Sequence, residues 1–510
     1  MLLSDTKPSC WPLLQAEKQT LEQMDIPLFT ARSDSADLTI APNLTIDNYF
    51  TEPSFNRVIA RLNQLNGQDL EQQIFFIKGA LYSPTTEEAH RLSLSDDFSS
   101  AFNGVLPITQ EGMIQQAIMI ARGIDKQAIR SAEGSVTWLA PQYILEVQRF
   151  QIQPMEHSLF DGSFGVASFL AALTQVTPQT GFRDLGLGAL QSFRHDLTTA
   201  ITADFLKEIG IGGAVGGGAI VYVLTRASQF LEEATLLEDA TQVASLITSE
   251  LIAADHHFDI IFGAAGTIVG LLALHTISPN SEVLETAILC GNYLLNNCVT
   301  SESGYKAWAT VDGKLLTGFS HGAAGIAYAL LRLYKASGQT AFLEAAEEAI
   351  AYERSVFIPE QGNWPDFRQS FPKDKPICMC SWCHGAPGIG LARLGGLDIL
   401  ETPEIRQDIE VAINTTKQQK LTGIDHLCCG NLGRVEFLLT ASRKLSRPDL
   451  LEDAMQIASQ VVARAKQKGH FGYGSILTFH PGFFQGASGI GYELLRLAYP
   501  DQLPSVLLWE

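Results

Sequence analysis

One short element occurs seven times in this chain, and this repetition constrains the fold more than any other feature of the sequence. Each copy is a turn with the pattern Gly-x-x-Gly that opens an apolar helix. The copies are 45 to 63 residues apart and begin at Gly162, Gly213, Gly263, Gly322, Gly385, Gly430 and Gly486. A period of this length accommodates one helical hairpin with its loops, which predicts a repeat architecture.

Two kinds of helix alternate along these repeats. The segments after each Gly-x-x-Gly are apolar nearly all round, which predicts an inner layer that is buried on every side. Amphipathic helices lie between them, from about residue 342 to 356 and from about 450 to 465, the latter with one face formed by Leu451, Ala454, Ala458 and Val461. We therefore predict an all-α fold, a double-layered α/α toroid (α/α barrel) of seven helical hairpin repeats with a small mixed N-terminal extension.

The glycines of the repeats have a mechanical role in this prediction. A residue without a Cβ permits tight turns and close backbone approach where the inner helices converge. The N-termini of the inner helices should then point toward a common central cavity. Side chains at the start of different repeats are therefore expected to meet there.

The first hundred residues do not share this period. Residues 13–83 are a mixture of loops and helices, with a helix predicted from about Ser54 to Asn66. A domain boundary is predicted near residue 105, after a serine-rich segment. This divides the chain into a segment 1–105 and a repeat domain 106–510.

Three cysteines occupy equivalent positions in two consecutive repeats. Cys383 in SWCHGAPGIG and the pair Cys428 and Cys429 in HLCCGNLG lie just before or at the first glycine, so closure of the toroid should bring their sulfurs within reach of one ion. Zinc (Zn²⁺) suits thiolate ligands, and three protein ligands leave a fourth position open. Two alternatives remain: unmetallated thiols, or a closed site in which Cys378 and Cys380 join Cys383 and Cys428.

Four polar residues near the repeat starts are further candidates. His321, in the SHGAAG turn, has the same slot as the cysteines, which indicates a catalytic role. Asp259, in DIIFGAAG, is a second catalytic candidate, although an aspartate three residues before a turn is also typical of a helix N-cap. His384 is a candidate for the cavity wall, and His426 for a ligand in place of one thiol.

Charge and composition exclude several classes of partner and location. A net charge of -20 and a pI near 5.0 argue against a nucleic-acid partner, since phosphate binding needs clustered lysine and arginine. The N-terminus has no basic segment followed by an apolar one, so we expect no export and a cytoplasmic protein. The uncharged stretch 209–225 is interpreted as a buried helix, with no transmembrane segment.

Taken together, these motifs resemble a known family. The WCHGAPG, CCG and SHGAAG elements and the C-terminal GFFQGASGIGYELLRLAYPDQLPSVLL resemble the cyclase domain of class II lanthipeptide synthetases over residues 106–510. Residues 13–83, with QMDIPLFTARSDS and DLEQQIFFIKGAL, resemble the tail of the dehydratase domain that precedes it. We expect the rest of that domain to be missing ahead of Met1, and segment 1–105 to be a truncated dehydratase tail without dehydratase activity.

The resemblance implies a zinc-dependent cyclase that forms carbon-sulfur bonds. A peptide cysteine thiolate would add to dehydroalanine or dehydrobutyrine and form a lanthionine or methyllanthionine ring. Cys383, Cys428 and Cys429 match the zinc ligands, His321 matches the histidine near the protonation step, and Asp259 matches the aspartate that orients or deprotonates. The implied partners are a dehydrated precursor peptide and a separate dehydratase.

This chain departs from the family pattern at two positions. Cys429 stands where most relatives have histidine, which resembles a subgroup with three cysteine ligands and implies a formal charge of about -2 with the substrate thiolate bound. Extra charge on sulfur should make that thiolate more nucleophilic. Met379 stands where stand-alone cyclases tend to carry arginine, and Arg434 is a candidate substitute.

Two other functions compete with the cyclase prediction. The same chemistry could add glutathione or another free thiol to dehydrated residues. Alternatively, the toroid could be a non-catalytic remnant that binds precursor peptide as a scaffold. Retention of all three cysteines and His321 favours the two enzymatic alternatives.

Overall fold

The computed structural model describes nine stretches of the chain, which are residues 11–26, 28–41, 44–81, 104–144, 149–177, 181–197, 201–368, 377–474 and 479–510. It divides into two compact units, Met1–Ile77 and Lys78–Glu510. The serine-rich segment used to predict the boundary near residue 105 lies almost entirely outside the described residues. The division into 1–105 and 106–510 therefore stays a prediction.

The first unit is small and mixed, as the sequence indicates. Strands Leu38–Ala41 and Leu44–Ile46 form an antiparallel hairpin, and Leu38 and Ile40 are its buried centre. The helices of this region are Trp11–Glu22, Ser54–Gln64 and Gly67–Leu81. The helix predicted from about Ser54 is confirmed, and it ends two residues earlier than expected.

An inner layer of helices follows the seven turns in the described part of the second unit. Each inner helix begins directly after a glycine, and its first two to three turns are buried on every side. They are Ser163–Val176, Gly217–Phe230, Ala264–Ile277, Ala323–Ser337, Ala386–Gly396, Asn431–Leu445 and Ala487–Ala498. We number these inner helices, and the turns before them, from 1 to 7.

An outer helix packs against each inner helix. Six of them follow their inner partner in the chain: Phe182–Asp196, Thr235–Ser245, Ser281–Asn297, Thr340–Ser355, Pro403–Gln418 and Pro448–Lys468. The seventh, Gln110–Gln127, precedes all the repeats and packs against inner helix 7. One detail of the predicted outer face is wrong: Leu451 is 38% exposed, and its neighbour Leu450 is the buried residue.

The ring of inner helices is closed, which confirms the predicted α/α toroid. Each inner helix packs against the next, and inner helix 7 packs against inner helix 1. Backbone hydrogen bonds of 2.7 to 3.2 Å also join each turn to the next around the axis. These bonds run from Phe160 N to Ala214 O, Ala214 N to Ile261 O, Ile260 N to Ser320 O, Ser320 N to Cys383 O, Cys383 N to Cys428 O, Cys428 N to Phe484 O and Phe484 N to Phe160 O.

The glycines of the turns are required by close backbone approach. A Cβ on Gly388 would lie 1.8 Å from the carbonyl oxygen of Trp382, and one on Gly433 would lie 2.1 Å from that of Leu427. No side-chain movement relieves a clash with backbone, so the second glycine of these turns admits no other residue without a shift of the helix.

Turn 2 has a different register from the one predicted. Its helix begins after Gly216, whose φ is +126°, and not after Gly213. The segment GGAVGGG offers several glycines at suitable spacing, so the pattern alone leaves the register ambiguous. Gly213 instead packs against Gly266 of the next repeat.

Short elements complete the described part of this unit. Antiparallel pairs are formed by Ile129–Arg130 with Val136–Thr137, Leu139–Ile144 with Arg149–Pro154, and Val299–Thr300 with Lys306–Ala307. Further helices are Ile201–Ile209 and Ser249–Ala253, with 3₁₀ turns at Val311–Gly313 and Val506–Leu508. Within the described residues, none of the helices combines the length and apolarity that a membrane crossing requires.

Aromatic side chains fill the axis of the ring beneath the turns, so the predicted central cavity does not extend through it. Trp509, from the C-terminal segment, contacts Phe319 of turn 4, Trp382 of turn 5 and Phe484 of turn 7, with ring centroids 6.0 to 6.4 Å apart. Its Nε1 donates a 2.8 Å hydrogen bond to the carbonyl of Gly213 in turn 2. A side chain that touches turns 2, 4, 5 and 7 lies on the axis, and these aromatic residues form what we call the axial cluster.

Replacing Trp509 with alanine is expected to lower the free energy of unfolding by about 3 to 5 kcal/mol, the usual cost of truncating a buried tryptophan. The side chain is 3% exposed, so its removal leaves a cavity among Phe319, Trp382 and Phe484. Denaturant unfolding of the variant measures the loss, with Leu451→Ala on the outer layer as the control. Equal effects of the two substitutions would contradict a structural role for the axial cluster.

Candidate metal centre

The three cysteine sulfurs of turns 5 and 6 converge on one point. Cys383 Sγ lies 3.3 Å from Cys429 Sγ, and Cys429 Sγ lies 3.4 Å from Cys428 Sγ. All three sulfurs lie within 4.8 Å of one another. Cys383 and Cys428 are buried and Cys429 is partly exposed, so the cluster opens to solvent on one side.

The ring of backbone hydrogen bonds holds these cysteines in position. The amide of Cys383 donates to the carbonyl of Cys428, and the carbonyl of Cys383 accepts from Phe319 and Ser320 of turn 4. The Cys428 amide in turn donates to Phe484 of turn 7. Because both ends of each link lie in packed turns, the arrangement of the thiols is preorganised.

The three thiols share negative charge unequally. Hydrogen bonds from the Cys428 and Cys429 thiols lower the pKa of Cys383 well below its ordinary value. The hydrogen bonds to Cys383, together with burial, raise the pKa values of Cys428 and Cys429 well above theirs. Burial and the shared hydrogen bonds therefore favour the thiolate at Cys383 and the neutral thiol at the other two cysteines.

The other candidate ligands from the sequence stay outside this cluster. In the described part of the chain, the group that could hold one metal ion consists of Cys383, Cys428 and Cys429, without Cys378 or Cys380. This argues against the closed four-cysteine site. His426 Nδ1 accepts a hydrogen bond from the amide of Cys429 at 3.4 Å, and burial lowers its pKa to about 4, so it supports turn 6 and is absent from the cluster.

Asp259 and His321 form a hydrogen-bonded pair across turns 3 and 4. His321 Nδ1 lies 2.7 Å from Asp259 Oδ2, and the side chains are 17% and 0% exposed. Asp259 Oδ1 accepts from the amide of Phe262 at 2.7 Å, so the carboxylate is held from both sides. Asp259 is not the N-cap of the helix, which is Gly263; its carboxylate instead joins the amide of Phe262 to His321, and its catalytic role stays a prediction.

His384 lies between this pair and the thiols. It follows Cys383 in the chain, and its ring stacks on His321 with centroids 6.0 Å apart. Its Nδ1 lies 3.2 Å from the carbonyl of Thr317, and burial lowers its pKa to about 4. His384 is thus a neutral imidazole that joins the two parts of the site.

Phe262, which is not among the residues predicted from the sequence, extends this arrangement outward. Phe262 stacks on His321 with centroids 5.8 Å apart and planes 15° apart, and exposed His257 lies 5.2 Å beyond it. Four rings therefore follow one another from the surface to the thiols, in the order His257, Phe262, His321 and His384. We call them the ring row. Phe262 directly precedes its glycine, as His321 and His384 do, and this equivalence was the available signal.

The arginine that contacts Met379 is Arg368, and not Arg434. Arg434 is buried, and it donates to the carbonyls of Gln419 and Lys420. Arg368 Nη2 lies 3.0 Å from Met379 Sδ, and its guanidinium pairs with Asp366. Burial acts to lower the pKa of Arg368, but the hydrogen bond to Asp366 and the charge of Cys383 raise it.

A family model and a curated relative match most of this chain. The model described as "Lanthionine synthetase C-like protein" matches residues 153–508. The chain is 20% identical over 507 residues to the lacticin 481/lactococcin biosynthesis protein LcnDR2 of Lactococcus lactis subsp. lactis. That match covers 95% of this chain and 50% of the relative, so this chain spans about half the length of that protein.

Solved structures of similar fold include a cyclase. The structure of nisin cyclase matches with a TM-score of 0.54 and 17% sequence identity, over 79% of this chain and 98% of that chain. A sugar epimerase from a ruminal bacterium matches with a TM-score of 0.39 and 14% identity, over 61% of this chain and 99% of that chain. The first match supports the toroidal fold described above.

Proposed function

Because this chain belongs to the lanthionine synthetase C-like family, we propose that it closes thioether rings in a dehydrated peptide by adding cysteine thiolates to dehydroalanine or dehydrobutyrine. The observation that carries the proposal is a cluster of three thiols at turns 5 and 6 together with an Asp-His pair at turns 3 and 4, whose imidazole stacks on His384, the residue after Cys383. A relative that acts in lacticin 481 biosynthesis and the fold shared with nisin cyclase also support it.

The cysteine cluster suits zinc. Thiolates bind zinc at ~2.3 Å, which puts neighbouring sulfurs of a tetrahedral site about 3.8 Å apart, close to the 3.3 and 3.4 Å separations here. We propose Cys383, Cys428 and Cys429 as the ligands, with the open side of the cluster for the substrate. Bound there, zinc would lower the pKa of a peptide cysteine so that the thiolate exists at neutral pH.

The Asp-His pair suits the proton transfer. In the proposed reaction the peptide sulfur bonds to the β-carbon of the dehydro residue, and the electrons of the carbon-carbon double bond move toward the carbonyl. His321 Nε2 then gives a proton to the α-carbon, because Asp259 engages its Nδ1. The proton released by the peptide thiol restores His321, so the addition has no leaving group and needs no oxidant.

The substrate of this reaction is a peptide whose serine and threonine residues have already been dehydrated. We propose that a separate dehydratase activity supplies it. Within this site, burial of Asp259 and stacking of His384 and Phe262 on His321 hold the acid in one orientation. Such preorganisation spares the enzyme the cost of ordering the acid during each addition.

Incubation of the zinc-loaded protein with a pre-dehydrated precursor tests the proposal. Thiol alkylation followed by mass spectrometry should show loss of alkylatable cysteine without a change in peptide mass. A mass gain equal to added glutathione would indicate addition of a free thiol instead. Unchanged peptide, with binding retained, would indicate a non-catalytic peptide-binding protein and overturn the proposed reaction.

Replacing Cys429 with histidine is expected to retain zinc but to slow ring formation by about three- to tenfold. A neutral ligand removes one negative charge, which makes the substrate thiolate less basic. Thiolate nucleophilicity follows basicity with a Brønsted coefficient of about 0.4–0.5, so a fall of about one to two in the thiolate pKa corresponds to this range of rates. Single-turnover cyclisation measures the rate, and an unchanged rate would discard the charge argument.

A further inference from the structure

We propose that Phe262, flanked by His257, forms a subsite for an apolar side chain next to the dehydro residue that accepts the thiolate. This inference rests on the proposed function, and it concerns which peptide sequences the site prefers. The ligand class is a leucine-like or aromatic side chain of the peptide. Three independent features of Phe262 support it, namely its slot in the ring of turns, its exposure and its contacts.

The slot of Phe262 directs its side chain toward the reaction site. In turns 3 to 6 the residue immediately before the helix-capping glycine is Phe262, His321, His384 and Cys429 in turn. Cys429 belongs to the thiol cluster, and the rings of His321 and His384 stack on each other. Phe262 continues the same series, and its stacking on His321 establishes that it faces the same side of the ring.

The exposure of Phe262 distinguishes it from the aromatic residues beneath the turns. Phe262 is 38% exposed, whereas Phe319, Trp382 and Phe484 are fully buried in the axial cluster. A single exposed apolar residue is common on protein surfaces and means little by itself. An exposed phenyl ring in contact with the proposed acid is different, because ligand sites combine apolar walls with a few polar groups.

The position of Phe262 in the ring row sets what it can contact. His384, at the inner end of the row, directly follows the ligand candidate Cys383 in the chain, and the His321 ring lies between the His384 and Phe262 rings. A dehydro residue whose β-carbon meets a sulfur and whose α-carbon meets His321 must therefore lie on the solvent side of His384, whose buried ring fills the row between the two. The side chain that reaches Phe262 therefore belongs to a neighbouring peptide residue.

Two model peptides test the subsite on the full-length protein. Both carry one cysteine and one dehydroalanine, and the residues on either side of the dehydroalanine are leucine in one peptide and asparagine in the other. The two side chains are similar in size and differ in polarity. Wild type should show a KM about tenfold lower for the leucine peptide, the ratio expected when roughly half of a leucine side chain leaves water.

Variants assign this preference to Phe262. Phe262→Ala should reduce the KM ratio to about one, whereas Phe262→Leu and Phe262→Trp should keep most of it. Phe230→Ala is the matched control, because Phe230 is a partly buried phenylalanine at the C-terminal end of inner helix 2, away from the turns. A wild-type ratio near one, or a ratio unchanged in Phe262→Ala, would overturn the subsite.

A binding measurement separates this inference from the proposed reaction. Analogues with alanine in place of dehydroalanine cannot cyclise, so their dissociation constants report recognition alone. A tenfold preference for the leucine analogue that Phe262→Ala abolishes supports the subsite even if no ring forms. An equal fall in kcat for both peptides, with no change in either KM or dissociation constant, would instead mean that Phe262 only supports His321, and the subsite would be wrong.

Discussion

Cys383→Ala is expected to remove stoichiometric zinc from the purified protein and to lower ring formation by more than about 100-fold. Cys383 supplies the link between turns 5 and 6, since its sulfur lies 3.3 Å from Cys429 Sγ and its amide donates to Cys428. Loss of a residue that hydrogen-bonds to a metal ligand already lowers metal affinity or activity by about 10- to 100-fold, and loss of the ligand itself lowers it further. Metal analysis and single-turnover cyclisation measure the two effects.

Cys378→Ala is the matched control for this experiment. Cys378 lies five residues earlier, is partly exposed and is outside the cluster of converging sulfurs. Its replacement should leave one zinc per chain and the wild-type rate. Equal loss of zinc in both variants would instead favour the closed site with additional cysteine ligands, and full zinc retention in Cys383→Ala would remove the basis of the proposed chemistry.

His321→Asn is expected to lower kcat by about 10²- to 10⁴-fold while zinc remains bound, because it removes the general acid and leaves the cluster intact. Asp259→Asn should cause a smaller loss, about 10- to 100-fold, since the imidazole remains but loses the carboxylate that orients it. The double variant should resemble His321→Asn alone, because the two residues act as a unit.

Zinc content and a second histidine variant serve as controls for the His321→Asn experiment. His256→Asn alters an exposed histidine of the loop that carries Asp259 and should retain the wild-type rate. Nearly wild-type kcat in His321→Asn would assign the proton transfer to another group. A combined loss of zinc and activity would mean that the substitution disturbs the metal centre. The rate of Asp259→Asn would then show whether the Asp-His pair takes part in the proton transfer.

The inner layer and the thiol cluster were predictable because both depend on local patterns. Uniformly apolar segments after each turn indicate helices buried on all sides, and the structure has them. Equivalent slots in consecutive repeats predicted that Cys383 would meet Cys428 and Cys429. The same equivalence of slots predicted that His321 would lie near the cysteines. It would also have identified Phe262 if apolar residues at that slot had been considered.

The remaining features depend on contacts between distant segments, which no local pattern encodes. The helix Gln110–Gln127 completes the hairpin of inner helix 7, whose residues lie more than 350 positions later in the chain. Arg368 reaches Met379 from a loop outside the repeats. Nothing in the sequence around Trp509 indicates that its side chain packs on the axis of the ring.

The axial cluster has a topological consequence for product release. Since Trp509, Trp382, Phe319 and Phe484 close the middle of the ring, a peptide cannot thread through it from one face to the other. In the proposed reaction, every macrocycle would therefore form and depart on the side from which its linear precursor arrived. To form successive crosslinks, one precursor would have to slide across the face of the ring that carries the turns. No closed peptide ring could become threaded through the protein.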